Sequence, residues 1–168
     1  DSLRILADEQ IGEIWCQGDS VAQGYWNNTE LTKTTFHAIT NDEKGPYLRT
    51  GDLGFLKNNE IYIVGRCKDM IIIRGKNYAP QDLELTAEGA HPAISTGTSA
   101  AFSSKTNQGE KVVFVCEINR HYLRKDPTTI FTQIQQAISE KHNLNLHDIV
   151  LLKPTRALKT TSGKIQRK

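Results

Sequence analysis

The fold of this chain is decided by residues 65–84, which read GRCKDMIIIRGKNYAPQDLE. The first four residues combine a glycine, whose backbone angles are little restricted, with two long cationic side chains. This composition is more typical of a hinge between two domains than of the interior of a strand. Residues 70–73 form a short apolar run rich in β-branched side chains, which predicts a buried strand. Residues 75–77 predict a turn, and Pro80 predicts the first position of a helix. On these residues alone, an ordinary strand-turn-helix and a functional hinge remain equally open.

Length and composition indicate a folded protein. The 168 residues suffice for one domain or about one and a half. A hydrophobic content of 38% with 24% charged residues supports a packed core and excludes long disordered tracts. The net charge of +2 does not indicate a globally basic protein that binds nucleic acid.

The cysteines and the absence of long apolar runs bear on location. Cys16, Cys67 and Cys116 lie far apart without a CxxC pair, which favours a reducing compartment and argues against a zinc site. No run is long enough to span a bilayer and no targeting signal opens the chain, so we expect a cytoplasmic protein. Because the sequence begins at Asp1 without a methionine, we expect a fragment of a longer chain. The histidines are scattered and predict no metal site: His37, His91, His121, His142 and His147.

The first part of the chain is rich in predicted strands. Residues 11–17 and 36–39 predict two of them, and residues 57–60 predict a turn into an alternating strand at residues 61–64. These signals predict a β-rich region before Gly65.

Two glycine-flanked positions in this region have more than one interpretation. Tyr25 and Trp26 follow Gly24, where regular secondary structure is expected to be interrupted. Large aromatic side chains most often pack in a core. Asp52, between Gly51 and Gly54, has the pattern of a turn former. The same carboxylate is equally suited to accept hydrogen bonds from the two hydroxyls of a ribose.

The part after Gly65 predicts a small α+β layer structure. A helix from Pro80, with Asp82 and Glu84 near its positive end, is expected to end near Gly89. Further predicted elements are a hairpin of residues 98–103 and 111–118, a helix with Asp126 as N-cap and Pro127 at its first position, and a strand at residues 149–152. The helix carries apolar residues at helical spacing and is expected to cover the hairpin: Ile130, Phe131, Ile134, Ala137 and Ile138.

The last residues are basic. After Asp148 there is no acidic residue, and residues 160–164, TTSGK, combine hydroxyls, a glycine and a cation as a phosphate-contacting loop does. The segment is not a P-loop, because Leu158 and Ile165 stand where that motif needs a glycine and a Ser or Thr. A solvated basic tail and a nucleic-acid-binding tail remain alternatives.

Four stretches, in this order, resemble motifs of the adenylate-forming superfamily of acyl-CoA synthetases, amino-acid adenylation domains and luciferases. They are GEIWCQGDSVAQGYW (12–26), YLRTGDLGFL (47–56), the opening stretch (65–84) and KTTSGKIQRK (159–168). Within the superfamily, IIIRGKNYAPQDLE, SAAFSS and VLLKP are most similar to the fatty acyl-AMP ligases that supply polyketide and lipopeptide assembly lines.

The resemblance implies a domain organisation and a reaction. Residues 1–64 would be the β-rich end of a large, truncated N-terminal domain, and residues 65–168 would be the mobile C-terminal domain. The intact enzyme would use ATP with Mg²⁺ to convert a fatty acid into acyl-adenylate and pyrophosphate. It would then pass the acyl group to the phosphopantetheine arm of an acyl carrier protein, without nucleic acid or a membrane span. The fragment alone would be inactive, because the family's upstream phosphate loop and acyl pocket are missing.

The resemblance also implies roles for four residues. Asp52 matches the aspartate that holds the ATP ribose hydroxyls, and Arg66 matches an arginine that contacts the same nucleotide. Lys68 matches the hinge about which the small domain turns, a position that is aspartate or lysine in relatives. Lys164 matches the catalytic lysine that reaches the acyl carboxylate and the α-phosphate. Leu158 departs from the family, which usually has proline there.

Two alternatives stay open. The first is a CoA ligase of the same superfamily, in which CoA would accept the acyl group. The second is a noncatalytic binding module with a basic tail, for which salt-sensitive binding of nucleic acid by the isolated chain would be the sign.

Overall fold

A computed structural model describes residues 3–107, 109–161, 163 and 165–166 of the chain. The chain is divided into two compact units, Asp1–Lys68 and Asp69–Lys168. Both contain helices and strands, and the second contains a mixed sheet, so the predicted α+β class is confirmed. In the described part of the chain, no helix is both long and apolar enough to cross a membrane.

The first unit is built on an antiparallel three-stranded sheet. β2 (Leu48–Lys57) lies in its centre between β1 (Gly12–Cys16) and β3 (Glu60–Arg66). The predicted turn between β2 and β3 is confirmed: Asn58 and Asn59 have φ of 52° and 63°, the left-handed pair of a tight hairpin. The elements of this unit are β1 (Gly12–Cys16), α1 (Thr29–Phe36), β2 (Leu48–Lys57) and β3 (Glu60–Arg66).

The strand predicted at residues 36–39 is wrong. Phe36 is the last residue of α1, and Ala38 only forms an isolated bridge with Tyr47. The helix begins after Asn28, whose side-chain oxygen accepts a hydrogen bond from the Leu31 amide at 3.1 Å. α1 buries none of its side chains, and four of its eight residues are threonine, a β-branched residue that favours strands over helices.

Core packing is also a wrong prediction for Trp26. Its side chain is 92% exposed. Tyr25 is half exposed and meets the ring of Phe36 edge-on, with ring centroids 5.1 Å apart. The glycine beside these aromatics therefore marks a surface position.

Gly54 of β2 lies where the backbone of β3 passes closest. A Cβ atom here would be 2.5 Å from the carbonyl oxygen of Tyr62 and 2.8 Å from Cδ1 of Ile14. The opposing Gly12 is also crowded, but there the contact at 2.6 Å is the tip of the Leu6 side chain, which can rotate away. The two glycines thus differ in whether the neighbouring atom can yield.

We expect Gly54→Ala to lower the free energy of unfolding of the first unit by about 1–3 kcal/mol, the usual range for overpacking. Both tryptophans of the chain, Trp15 and Trp26, lie in this unit, so urea unfolding followed by tryptophan fluorescence reports it selectively. Gly12→Ala is the matched control and should have a much smaller effect. Equal losses for the two variants would contradict the explanation.

The second unit contains a two-stranded and a three-stranded sheet. β4 (Ile71–Ile73) and β5 (Lys76–Tyr78) form the two-stranded sheet. In the three-stranded sheet, β7 (Gly109–Glu117) pairs antiparallel with β6 (Ala100–Thr106) and parallel with β8 (Asp148–Leu152), so this sheet is mixed. The elements are β4 (Ile71–Ile73), β5 (Lys76–Tyr78), α2 (Pro80–Glu88), β6 (Ala100–Thr106), β7 (Gly109–Glu117), α3 (Thr128–His142) and β8 (Asp148–Leu152), with a short 3-10 turn at Arg120–Tyr122.

Helices α2 and α3 supply the core of this unit together with β7. α3 buries residues spaced four apart, and β7 buries alternate residues, so each element shows the period of its own geometry. Burial raises the pKa of the Cys116 thiol to about 12, which keeps it protonated. The buried hydrophobic side chains that these three elements contribute to the core are Leu83, Ala87, Val112, Phe114, Cys116, Ile130, Ile134 and Ile138.

Three local predictions around the opening stretch need correction. Gly65 and Arg66 do not form a joint: they are the last residues of β3, and Gly65 pairs with Leu53. Lys76 and Asn77 belong to β5, because the turn lies at residues 74–75, where φ is 50° and 75°. The strand predicted at residues 70–73 forms at Ile71–Ile73, but only Ile71 is fully buried.

The start of α3 also differs by one position. Pro127 is the N-cap, and the helix begins at Thr128. Asp126 still performs the capping function from one residue earlier, because its Oδ1 accepts hydrogen bonds from the amide and the hydroxyl of Thr128 at 3.0 and 2.7 Å. The predicted helix, hairpin and final strand are confirmed.

Candidate functional site

Two of the candidate residues lie side by side in the first unit. Asp52 on β2 and Arg66 at the end of β3 are directly paired across the sheet. The Nε atom of Arg66 lies 3.4 Å from Oδ1 of Asp52. Both side chains reach solvent, with exposed fractions of 68% for Arg66 and 38% for Asp52. The structure therefore brings together two residues that the sequence presents separately.

This exposed pair contributes little to stability, since solvent screens it. Its chemistry suits binding instead. A carboxylate offers acceptors on both oxygens, and a guanidinium offers five N–H donors in a planar fork. A ligand that carries adjacent hydroxyls and an anionic or π-rich group next to them matches that combination.

The backbone around Asp52 is fixed from several directions. Gly51 has a φ of 74°, and its carbonyl oxygen accepts a hydrogen bond from the Cys67 amide at 2.8 Å. The Asp52 amide donates to Oγ1 of Thr50 at 3.0 Å, and that hydroxyl donates to the Ile14 carbonyl at 2.7 Å. Asp52 thus lies within a strand with a left-handed residue before it, and the interpretation as a turn former is wrong.

Glu13 on β1 holds this segment from the neighbouring strand. Its carboxylate accepts hydrogen bonds from Nε of Arg49 at 2.9 Å, from Nε1 of Trp15 at 3.0 Å and from the Gly51 amide at 3.2 Å. Arg49 also lies over the Trp15 ring, 5.5 Å from its centroid. The residue before Asp52 is therefore anchored to a carboxylate that is itself ion-paired.

The charge of Glu13 is stabilised by these contacts. Burial alone would raise its pKa, but the hydrogen bonds from Arg49 and Trp15, the attraction of the guanidinium and the Gly51 amide outweigh burial and lower it. A lowered pKa means that this contribution to stability is present at neutral pH and is lost as the pH falls through the folded-state value. Sequence analysis missed Glu13, because two of its three partners, Arg49 and Gly51, lie 36 and 38 residues away.

The other two candidates lie elsewhere in the chain. Lys68 is exposed in the turn that follows β3 and is the last residue of the first unit. Lys164 lies outside the described residues. Among the residues that are described, no group of three or more His, Cys, Asp or Glu side chains is placed to hold a metal ion.

The segment around Lys164 is described in part. Lys159 and Ile165 form an antiparallel bridge. The Gly163 amide donates to the Thr160 carbonyl and the Gln166 amide to the Leu158 carbonyl, both at 2.9 Å. We call the described residues of this segment, 158–161, 163 and 165–166, the terminal hairpin. Leu158, which departs from the family pattern, is 69% exposed at its start.

Comparison with known proteins identifies the family. A family model described as the AMP domain of Disco-interacting protein 2-like proteins matches residues 68–168, which is more than half of the chain. The chain belongs to this family. The match begins at Lys68, the residue predicted to be the hinge.

Individual proteins that are similar to this chain in sequence or in structure include fatty-acid ligases and an adenylation domain. The medium-chain-fatty-acid–[acyl-carrier-protein] ligase JamA of Moorena producens (strain JHB) is 45% identical over 168 residues, which cover 99% of this chain and 28% of that protein. A solved structure from a study of fatty acyl-adenylate ligases of E. coli and L. pneumophila is 31% identical with a TM-score of 0.75, over 96% of this chain and 27% of that one. McyG A-PCP, solved with phenylalanyl-adenylate, is 28% identical with a TM-score of 0.80, over 97% and 28% of the two chains.

These findings confirm the resemblance to the adenylate-forming superfamily and, within it, to fatty acyl-AMP ligases. The chain spans little more than a quarter of the length of the relatives it matches, about 28% of JamA.

Proposed function

We propose that this chain is the C-terminal part of a fatty acyl-AMP ligase. The intact enzyme joins a fatty acid to AMP from ATP, releases pyrophosphate, and transfers the acyl group to the phosphopantetheine thiol of an acyl carrier protein. The observation that carries the proposal is the Asp52–Arg66 pair, presented to solvent on adjacent strands. Similarity to a fatty-acid–[acyl-carrier-protein] ligase along nearly the whole chain supports the same function.

The pair has the chemistry that a nucleotide requires. The carboxylate of Asp52 accepts hydrogen bonds from the 2′- and 3′-hydroxyls of the ribose, and the guanidinium of Arg66 donates to the nucleotide beside it. Glu13 and Arg49 keep the Gly51–Asp52 segment in place without contacting the ligand. ATP enters as its magnesium complex, and no described residue of this chain is assigned to the ion.

The first step joins two anions. A carboxylate oxygen of the fatty acid attacks the α-phosphorus of ATP, and the bond to the bridging oxygen breaks so that pyrophosphate leaves with the electron pair. In the second step the thiol sulfur attacks the acyl carbon, and AMP leaves. A cation at the junction of carboxylate and phosphate offsets the repulsion in the first step, and we assign this role to Lys164.

The two steps need different arrangements of the same protein. Because Gly65 and Arg66 belong to β3, we assign the residues up to Lys68 to the end of the large domain and residues 69–168 to the mobile domain, with Lys68 as the pivot. The boundary between the compact units, at Lys68 and Asp69, supports a joint close to this position. Rotation there delivers the terminal hairpin for adenylation and withdraws it for acyl transfer.

The function is tested by product analysis with the intact protein. Incubation with ATP and a labelled fatty acid should give acyl-AMP, and addition of a phosphopantetheinylated carrier protein should give the acyl thioester. The 168-residue chain alone should give neither. Formation of acyl-CoA with CoA in place of the carrier would show the CoA ligase instead, and an intact protein that consumes no ATP would refute both.

We expect Lys68→Pro to separate the two steps. Proline fixes φ and removes a backbone donor, so it should impede rotation at this residue. Adenylation, measured by pyrophosphate exchange, should change less than about twofold, while acyl transfer to the carrier should fall at least about tenfold. Lys68→Ala removes the charge but keeps the backbone freedom, and it should retain both steps. Unchanged transfer in the proline variant would remove Lys68 as the pivot.

A further inference from the structure

Glu117, the last residue of β7, carries a buried carboxylate that accepts a backbone hydrogen bond from a distant part of the chain. Its side chain is only 6% exposed. Oε1 accepts a hydrogen bond from the Ala157 amide at 2.7 Å. The backbone amides of Thr155 and Arg156, which precede Ala157, also favour the charged form of this carboxylate. The carboxylate of Glu117 is therefore stabilised by the chain that follows β8.

Such a carboxylate is costly to bury unless it is fully bonded. Burial alone would raise the pKa of Glu117, but the three amides and the attraction of Lys159 outweigh it and lower the pKa. The group therefore stays ionised at neutral pH. The segment it holds includes Thr155 with a φ of 64°, a left-handed backbone conformation that is uncommon for a residue other than glycine.

The contacts fix the chain just before the terminal hairpin. Glu117 is the strand partner of Leu152 at the end of β8, and the Ile118 amide donates to the Leu152 carbonyl at 3.0 Å. The carboxylate then holds Ala157, and the hairpin begins at the next residue. Because the chain is held both at residue 152 and at residue 157, the direction in which the hairpin leaves the sheet is determined.

We propose that Glu117 is a positioning residue for the terminal hairpin and acts specifically in the adenylation step. It contacts no reacting atom; it acts through the root of the hairpin, and in the sequence Lys164 lies between residues 163 and 165 of that hairpin. The inference rests on the proposed function, in which that lysine is needed only for adenylation. A small displacement of a reacting group is enough to slow a reaction severely, so loosening the root should affect this step above all.

The test compares both steps in the intact protein carrying Glu117→Gln. Pyrophosphate exchange should fall about tenfold to a hundredfold, while acyl transfer from added acyl-adenylate should stay within about twofold. Glu117→Asp keeps the charge with a shorter side chain and should show a smaller loss in the same direction. Equal loss of both steps in both variants would show a merely structural role and overturn the proposal.

Glu84 provides a matched control in the same unit. It is also buried, and its Oε1 accepts a hydrogen bond from the Ala101 amide at 2.9 Å, far along the chain from the hairpin. Glu84→Gln should therefore lower the stability of the unit without favouring one step over the other. If it produced the same selective loss of adenylation, the effect would not come from the hairpin and the proposal would fall.

Hydrogen exchange separates this proposal from the proposed function. In Glu117→Gln the amides of residues 155–157 should exchange at least about tenfold faster than in the unaltered protein, while those of β7 and β8 keep their protection. Unchanged exchange at these three amides would refute the anchoring. Faster exchange in a protein that never forms acyl-adenylate would support the anchoring and refute the proposed function.

Discussion

Replacement of Lys164 by alanine in the intact protein is expected to lower fatty-acid-dependent pyrophosphate exchange by about two to three orders of magnitude. The ammonium offsets the charge that builds up as the carboxylate approaches the α-phosphate, and its removal leaves that charge unbalanced. Acyl transfer from added acyl-adenylate to the carrier protein should be nearly unchanged, because phosphoryl chemistry is complete by then.

The control for this variant is another lysine of the same basic segment. Lys153 is exposed directly after β8, so Lys153→Ala removes an equal charge without touching the terminal hairpin. It should leave both steps within about twofold, since exposed charges far from a reacting centre are screened. Equal loss of both steps in Lys164→Ala, or an effect of Lys153→Ala as large, would reject the role of Lys164.

The second unit could be predicted well because its signals are local. Pro80 and Gly89 stand at the two ends of α2, and the isoleucines of α3 repeat every fourth residue. The errors in this unit concern only the residues at which strands and helices begin or end. Arg74 adopts a left-handed φ in the β4–β5 turn, a conformation that is uncommon for residues other than glycine. The sequence therefore predicted the turn one residue too late, beginning at Gly75.

The first unit was less predictable because its partners are distant. Asn28 as N-cap and Glu30 in the first turn are local signals of α1, but four of its eight residues are threonine, which favours strands, and the helix buries no side chain. An aromatic beside a glycine is compatible with both a core and a surface position. For Trp26 the choice depends on which groups surround it in three dimensions, and that information is not carried by its sequence neighbours.

The candidate site shows the same division. Motifs identified Asp52 and Arg66, because each lies within a recognisable stretch. Their pairing depends on the register of β2 against β3, which includes an irregularity between Leu53 and Gly54. The contribution of Glu13 depends on a second register, that of β1 against β2, which is also irregular. Side-chain alternation alone does not specify such shifts, so these contacts emerge only from the folded sheet.

Asp52→Ala is expected to lower kcat/KM for ATP about tenfold to a hundredfold, mainly through a higher KM. Each hydrogen bond to a charged group contributes about 1.5–3 kcal/mol. The loss is smaller than two such bonds would give, because the side chain is 38% exposed and water replaces part of the interaction. Stability should hardly change, since the ion pair with Arg66 is exposed as well.

The ribose itself supplies the sharpest test of Asp52. The unaltered protein should lose kcat/KM when ATP is replaced by 2′-deoxy-ATP, whereas Asp52→Ala should lose little more, because the acceptor of that hydroxyl is already gone. Glu60→Ala removes a carboxylate at the other end of β3, where it accepts a hydrogen bond from Tyr62, and should behave like the unaltered protein with both nucleotides. If Asp52→Ala discriminated against 2′-deoxy-ATP as strongly as the unaltered protein does, the hydroxyl would have a different acceptor, and the nucleotide could not be placed at the Asp52–Arg66 pair.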